Sequence, residues 1–92
     1  MRIIKELSIE DINISIYKME HKFTLKLEWT RLEQTFKLDS RDGVEELDHV
    51  LALIDKTFIA KARIAFDSML TNKIERIAVL QEVTGEEFPD II

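Results

Sequence analysis

The chain predicts an α+β fold in which an antiparallel sheet from the first half packs against helix from the second. Three observations carry that expectation. From Ile12 to Leu38 apolar residues alternate with period two, as a half-buried sheet requires. At Asp39 the period lengthens to about 3.6 residues, the repeat of an amphipathic helix. From Val44 to Thr84, 41 consecutive residues contain neither glycine nor proline, so no backbone breaker interrupts a helix. One helix of that length would extend about 60 Å at roughly 1.5 Å per residue, twice the width of a small domain. It must fold back or meet a partner.

In chain order, Arg2 to Ile9 supply a candidate first strand, with Leu7 and Ile9 on the apolar side after a turn at Glu10-Asp11; a short helix over Arg2 to Leu7 is the alternative. Ile12, Ile14 and Ile16 then point one way. Phe23, Leu25, Leu27 and Trp29 do the same in the next segment, while Thr24, Lys26 and Glu28 take the other face. Leu32, Phe36 and Leu38 repeat the pattern around one polar intruder, Gln34.

A one-residue slip would turn a strand inside out, so the registers test one another. With a turn at Met19-Glu20, Ile16 faces Phe23, Ile14 faces Leu25 and Ile12 faces Leu27. With a turn at Thr30-Arg31, Trp29 faces Leu32, Leu25 faces Phe36 and Phe23 faces Leu38. An apolar face thus forms row by row across a meander of three or four strands. Neither turn carries the Asn-Gly or Asp-Gly pair typical of two-residue hairpins.

Ser40 or Asp42 is the expected N-cap of the helical half, with Asp42 and Glu45 spaced as a capping box. Asp42, Glu45, Glu46 and Asp48 place negative charge where the helix dipole favours it. One apolar stripe runs Val44, Leu47, Leu51, Ile54, Phe58, Ala62, Ala65, Met69, and a second, about 100° away, runs Ile59, Phe66, Leu70, Ile74, Ile77. A break or bend near Thr71-Asn72 would account for the change of face, since Thr and Asn favour helix ends. Ile77 to Leu80 is apolar on all sides, Gly85 is a fitting residue just past the helix end, and Pro89 follows.

The 92 residues therefore divide into sheet (1–39), helical segment (42–84) and tail (85–92) of a single domain. With 46% hydrophobic and 34% charged residues the chain has ordinary globular usage and is expected to be folded nearly end to end. The absence of cysteine excludes disulfides, thiolate nucleophiles and cysteine-ligated metals. The longest apolar run, Val50 to Ile54, is far short of the roughly 20 residues that span a bilayer. No signal-peptide pattern opens the sequence, so a cytoplasmic protein with no membrane contact is expected. A net charge of -5 argues against a protein devoted to phosphate backbones.

Each candidate site competes with a plainer reading. Glu46 and His49 have the Glu-x-x-His spacing of di-iron bundles, but such sites need two motifs and further carboxylates, and this chain has one. An exposed acidic first turn that contains a histidine explains the pair better. His21 lies in a charged turn with no identifiable nucleophile, and neither Ser15 nor Ser40 sits in an activating motif. The only glycines are Gly43 and Gly85, which excludes a glycine-rich phosphate loop. The carboxylate pairs Glu10-Asp11, Glu45-Glu46 and Glu86-Glu87 fall in charged turns or helix ends. Trp29 and Phe58 fall on apolar faces and read as core. Arg63 and Asp67 can pair along the helix, and the tail from Glu86 to Ile92, with Phe88, Ile91 and Ile92, is expected to dock on the domain.

The polar face of the sheet would carry the rows Ser8, Asn13, Lys26, Thr35 and Glu6, Ser15, Thr24, Lys37, then Tyr17 and Lys22 beside Asp39. Tyr17, Lys26 and Lys37 could contact RNA or single-stranded DNA, although Tyr17 is the lone stacking platform and Asp11, Glu28 and Glu33 form a repulsive row. We expect no catalytic residue, no cofactor and no metal. The expected function is non-catalytic, that of a protein-interaction or regulatory domain acting as a homodimer. Its interface would be Ile59, Phe66, Leu70, Ile74, Ile77 and Leu80, which one sheet face cannot cover. A basic protein partner would suit the acidic balance; nucleic-acid binding is the alternative.

Overall fold

A computed structural model describes residues 1–85. Four strands, β1 (Arg2–Ile9), β2 (Ile12–Met19), β3 (Lys22–Trp29) and β4 (Leu32–Leu38), form one antiparallel sheet in the order β1-β2-β3-β4. A 3₁₀ turn (Ser40–Asp42) leads to helix α1 (Leu47–Leu53) and then to the long helix α2 (Lys56–Gly85). The fold is α+β, with the helical half against one face of a meander.

The alternating residues make the core. Ile12, Ile14 and Ile16 of β2 and Phe23, Leu25 and Leu27 of β3 are fully buried, and Val44, Val50, Ile59, Ala62 and Phe66 cover them from the helical side. Trp29 and Phe58 pack against this core, Trp29 with its ring 5.7 Å from Phe66 and Phe58 with its ring 5.6 Å from Phe36. Burying each large apolar side chain contributes about 1.5–3 kcal/mol, so this one layer supplies most of the driving force for folding.

The β3-β4 register is the expected one, with Trp29 opposite Leu32, Leu25 opposite Phe36 and Phe23 opposite Leu38. The β1-β2 hairpin also turns at Glu10-Asp11, and a bulge between Ile3 and Lys5 lets Ile4 pack against the core while Lys5 stays exposed. The β2-β3 hairpin differs. Its loop is Glu20-His21, one residue later than Met19-Glu20, so Ile16 faces Leu25 and Ile14 faces Leu27. Moving the loop by one residue moves the register by two, which keeps every side chain on its face. The later loop brings both eight-residue strands into full overlap.

The helical half departs further from expectation. The capping box lies earlier, on the 3₁₀ turn: Asp39 Oδ1 accepts from the Arg41 amide at 2.9 Å and Asp42 Oδ2 accepts from the Asp39 amide at 3.1 Å. Gly43, at φ 80°, ends that turn in the left-handed region where glycine is at ease. The helix runs through Thr71-Asn72 without the expected break. The interruption falls at Ile54-Asp55, where Asp55 Oδ1 accepts from the Phe58 amide at 2.8 Å and restarts the chain as α2.

The new start rotates the apolar face. Residues from both expected stripes, Ile59, Ala62, Phe66 and Met69, now form one stripe against the sheet, so the expected division into two faces is corrected. Gly85, expected just past the helix end, is the last described residue of α2. Pro89 and the expected docking of Glu86 to Ile92 lie outside the described residues.

Two contacts from α2 hold it on the sheet. Gln34 Nε2 donates to the Ala62 carbonyl at 2.9 Å, which explains the polar intruder on the apolar face of β4. Arg63 donates through Nη2 to the Glu10 carbonyl at the β1-β2 turn, approaches Glu10 Oε1 at 3.4 Å and stacks 5.9 Å from the centre of Trp29. Arg63 thus pairs with Glu10 and not with Asp67.

Candidate interaction surfaces

The outer face of the sheet is rearranged by the shifted hairpin. Its rows read Ser8, Asn13, Glu28, Glu33; then Glu6, Ser15, Lys26, Thr35; then Tyr17, Thr24, Lys37. Tyr17, Lys26 and Lys37 do share this face. Lys26 Nζ lies 5.4 Å from the centre of the Tyr17 ring and 4.0 Å from Glu33 Oε1, so one cation spans the aromatic ring and a carboxylate. Thr35 Oγ1 donates to Glu33 Oε2 at 3.1 Å. Glu28 and Glu33 stand directly opposite each other, where like charges repel. The face carries both signs of charge.

At the start of α1, His49 Nδ1 accepts from the Glu45 amide at 3.0 Å, and His49 Nε2 lies 3.5 Å from Glu46 Oε2. Both ring nitrogens are therefore engaged locally. Among the described residues no group of three or more histidines and carboxylates is placed to hold a metal ion.

His21, Ser40, Val44 and Glu45 line one shallow depression, a juxtaposition the sequence did not suggest, because the β2-β3 loop meets the 3₁₀ turn only in the fold. Among the described residues no hydrogen bond joins His21 to Ser40, so the hydroxyl lacks the base contact that would activate it. The nearby Asp39 carboxyl is held down to a pKa of about 2, first by its side-chain hydrogen bonds from Arg41 and then by the Arg41 amide. That arrangement closes a turn.

The expected interface residues divide into two sets. Ile59 and Phe66 belong to the core, 4% and 0% exposed, because the restart at Asp55 turns them toward the sheet. They cannot contribute to an interface of the folded chain, and that part of the expectation is corrected. Leu70 is half-buried at the sheet's end. Beyond it α2 leaves the sheet, with Ile74 57%, Ile77 41%, Val79 38% and Leu80 64% exposed.

Among the described residues no helix is long and apolar enough to cross a membrane. No protein-family model matches the chain, and neither curated proteins nor solved structures give a significant match to it.

Proposed function

We propose that this chain is a small non-catalytic protein-interaction domain, of regulatory or adaptor type, that acts as a homodimer joined through the distal half of α2. The exposure of Ile74 and Ile77 on a helix that has already left the sheet carries this reading. Side chains that would each contribute about 1.5–3 kcal/mol on full burial are left in water by the single chain. In a symmetric contact each residue counts twice, so a second copy of the same helix is the partner that covers most apolar surface per contact formed. Leu70 continues the stripe toward the sheet. The lack of a hydrogen bond between His21 and Ser40 among the described residues and the local partners of His49 support a non-catalytic role.

The mixed outer face, where Glu6, Glu28 and Glu33 stand among Lys26 and Lys37, gives a phosphate backbone little net attraction, so nucleic-acid binding is the weaker alternative. Light scattering and sedimentation equilibrium test the dimer. The expected mass is at least twice that of the chain, and Ile74→Glu/Ile77→Glu should lower it by removing the α2 contact, with the circular dichroism unchanged. A parent chain that stays monomeric at micromolar concentration would refute the reading.

A further inference from the structure

We propose that the free edge of β4 forms a second self-association surface, on which two copies pair β4 to β4 antiparallel, centred on Thr35, into one continuous eight-stranded sheet. This contact is independent of the distal half of α2.

The sheet has two edges, and unpaired edges are templates for strand addition. They are not alike. The bulge between Ile3 and Lys5 interrupts β1, whereas β4 pairs with β3 without irregularity over its seven residues and contains no proline. Thr30 and Arg31, at φ 43° and 69°, make a two-residue loop, so Trp29 and Leu32 are its closing hydrogen-bonded pair. The backbone groups of Leu32, Gln34, Phe36 and Leu38 therefore turn toward β3. Those of Glu33, Thr35 and Lys37 turn outward.

A two-fold axis normal to the sheet keeps both apolar faces on the same side, and it brings outward-turned residues opposite one another. Centred on Thr35, this operation sets Glu33 opposite the partner's Lys37, Lys37 opposite the partner's Glu33, and Leu32 opposite the partner's Leu38, with both strands in full overlap. Other registers are repelled. A two-residue slip one way sets Arg31 against the partner's Lys37, and the other way sets Glu33 against the partner's Asp39. Longer slips oppose Glu33 to the partner's Glu33, or Lys37 to the partner's Lys37. Like charges directly opposite destabilise a sheet, so the charges select the centred register.

On the helix side a groove of about 240 Å³ lies between β4 and α2, lined by Gln34, Phe36, Phe58, Lys61 and Ala62. The centred register places Gln34 opposite the partner's Phe36. That ring, 38% exposed in the single chain, would enter the groove beside Ala62.

The chain has no cysteine, which makes a cross-linking test clean. In Thr35→Cys the two-fold brings the Cα atoms about 5.5 Å apart, inside the range a disulfide bridges. Mild oxidation is expected to give a covalent dimer at least ~10 times faster than Ser8→Cys, an exposed position on the β1 side of the same face. In an Ile74→Glu/Ile77→Glu background, Glu33→Lys and Lys37→Glu should each weaken association about tenfold, because two cross-strand pairs turn from opposite to like charge. Carrying both should restore it to within about threefold.

Thr35→Cys cross-linking no faster than Ser8→Cys would overturn the pairing, as would a charge exchange no tighter than either single variant. Association abolished by Ile74→Glu/Ile77→Glu, with no preferential cross-linking of the Thr35→Cys variant, removes the edge contact and leaves the helix dimer standing. Preferential cross-linking with α2 substitutions inert does the reverse.

Discussion

Gln34→Glu isolates the polar contact that, among the described residues, ties α2 to β4. At neutral pH the substitution sets a carboxylate oxygen where an amide donates to the Ala62 carbonyl at 2.9 Å. Losing the bond costs about 1 kcal/mol, and holding a half-buried anion against a carbonyl adds about as much. The deficit at pH 7 is therefore about 2 kcal/mol, or roughly 8–16 °C in Tm for a domain of this size. Protonated Glu can donate to the same carbonyl, so folding raises the carboxyl pKa above its unfolded value of about 4.3. The variant's stability relative to the parent is then intact below about pH 4 and is lost as pH rises toward about 6, since ~2 kcal/mol corresponds to about 1.5 pK units. Urea denaturation followed by circular dichroism from pH 4 to 7 measures the difference. Gln34→Leu loses the same bond but buries apolar surface in its place and carries no charge, so it should stay within about 1 kcal/mol of the parent and show no pH dependence of its own. A deficit in Gln34→Glu that does not change with pH would refute the reasoning.

Four further outcomes can be checked by the same denaturation assay. Arg63→Ala should cost about 1–2 kcal/mol, from one charged hydrogen bond and a cation–π contact, and Arg63→Lys about half of that, because an ammonium cannot hold the Glu10 carbonyl and Trp29 together. Thr30→Asn with Arg31→Gly should stabilise by about 1 kcal/mol, since both positions sit at positive φ. Asp55→Ala should cost about 1 kcal/mol through loss of the α2 cap. Asp39, with its pKa lowered to about 2, contributes stability that is present above the ordinary carboxylate pKa and lost as pH falls toward 2, so Asp39→Asn should flatten the acid limb of the stability profile.

The sheet was legible because period two and cross-strand agreement constrain each other, and the buried isoleucines, leucines and Phe23 all lie on the face the alternation assigns them. The loop of the second hairpin was not. Its positive-φ residue is Glu20, and the other two loops use Glu10, Asp11, Thr30 and Arg31, none of them the Asn or Gly that marks such turns in a sequence. The slip left the core intact because it was even, yet it moved Lys26 and Lys37 to different rows of the outer face.

In the helical half, Asp55 was the signal for a new helix start. It was masked because Ile54 and Phe58 on either side continue an apolar stripe. Ile59 and Phe66 were consequently assigned outward when they face the sheet. The expectation of unburied apolar residues near Ile74 and Ile77 did not depend on that error, because those positions lie beyond the end of the sheet whichever way the helix is rotated.

The departure of α2 from the sheet also sets how the molecule moves through water. Its radius of gyration, 17.8 Å, exceeds the roughly 12 Å of a compact domain of this length, and its extents of 54 × 27 × 21 Å describe a rod carried on a block. Such a body tumbles anisotropically and drags more solvent than its mass implies. A single chain should leave a gel-filtration column ahead of globular proteins of equal mass, and truncating α2 after Leu70 should slow its elution by more than the lost residues account for.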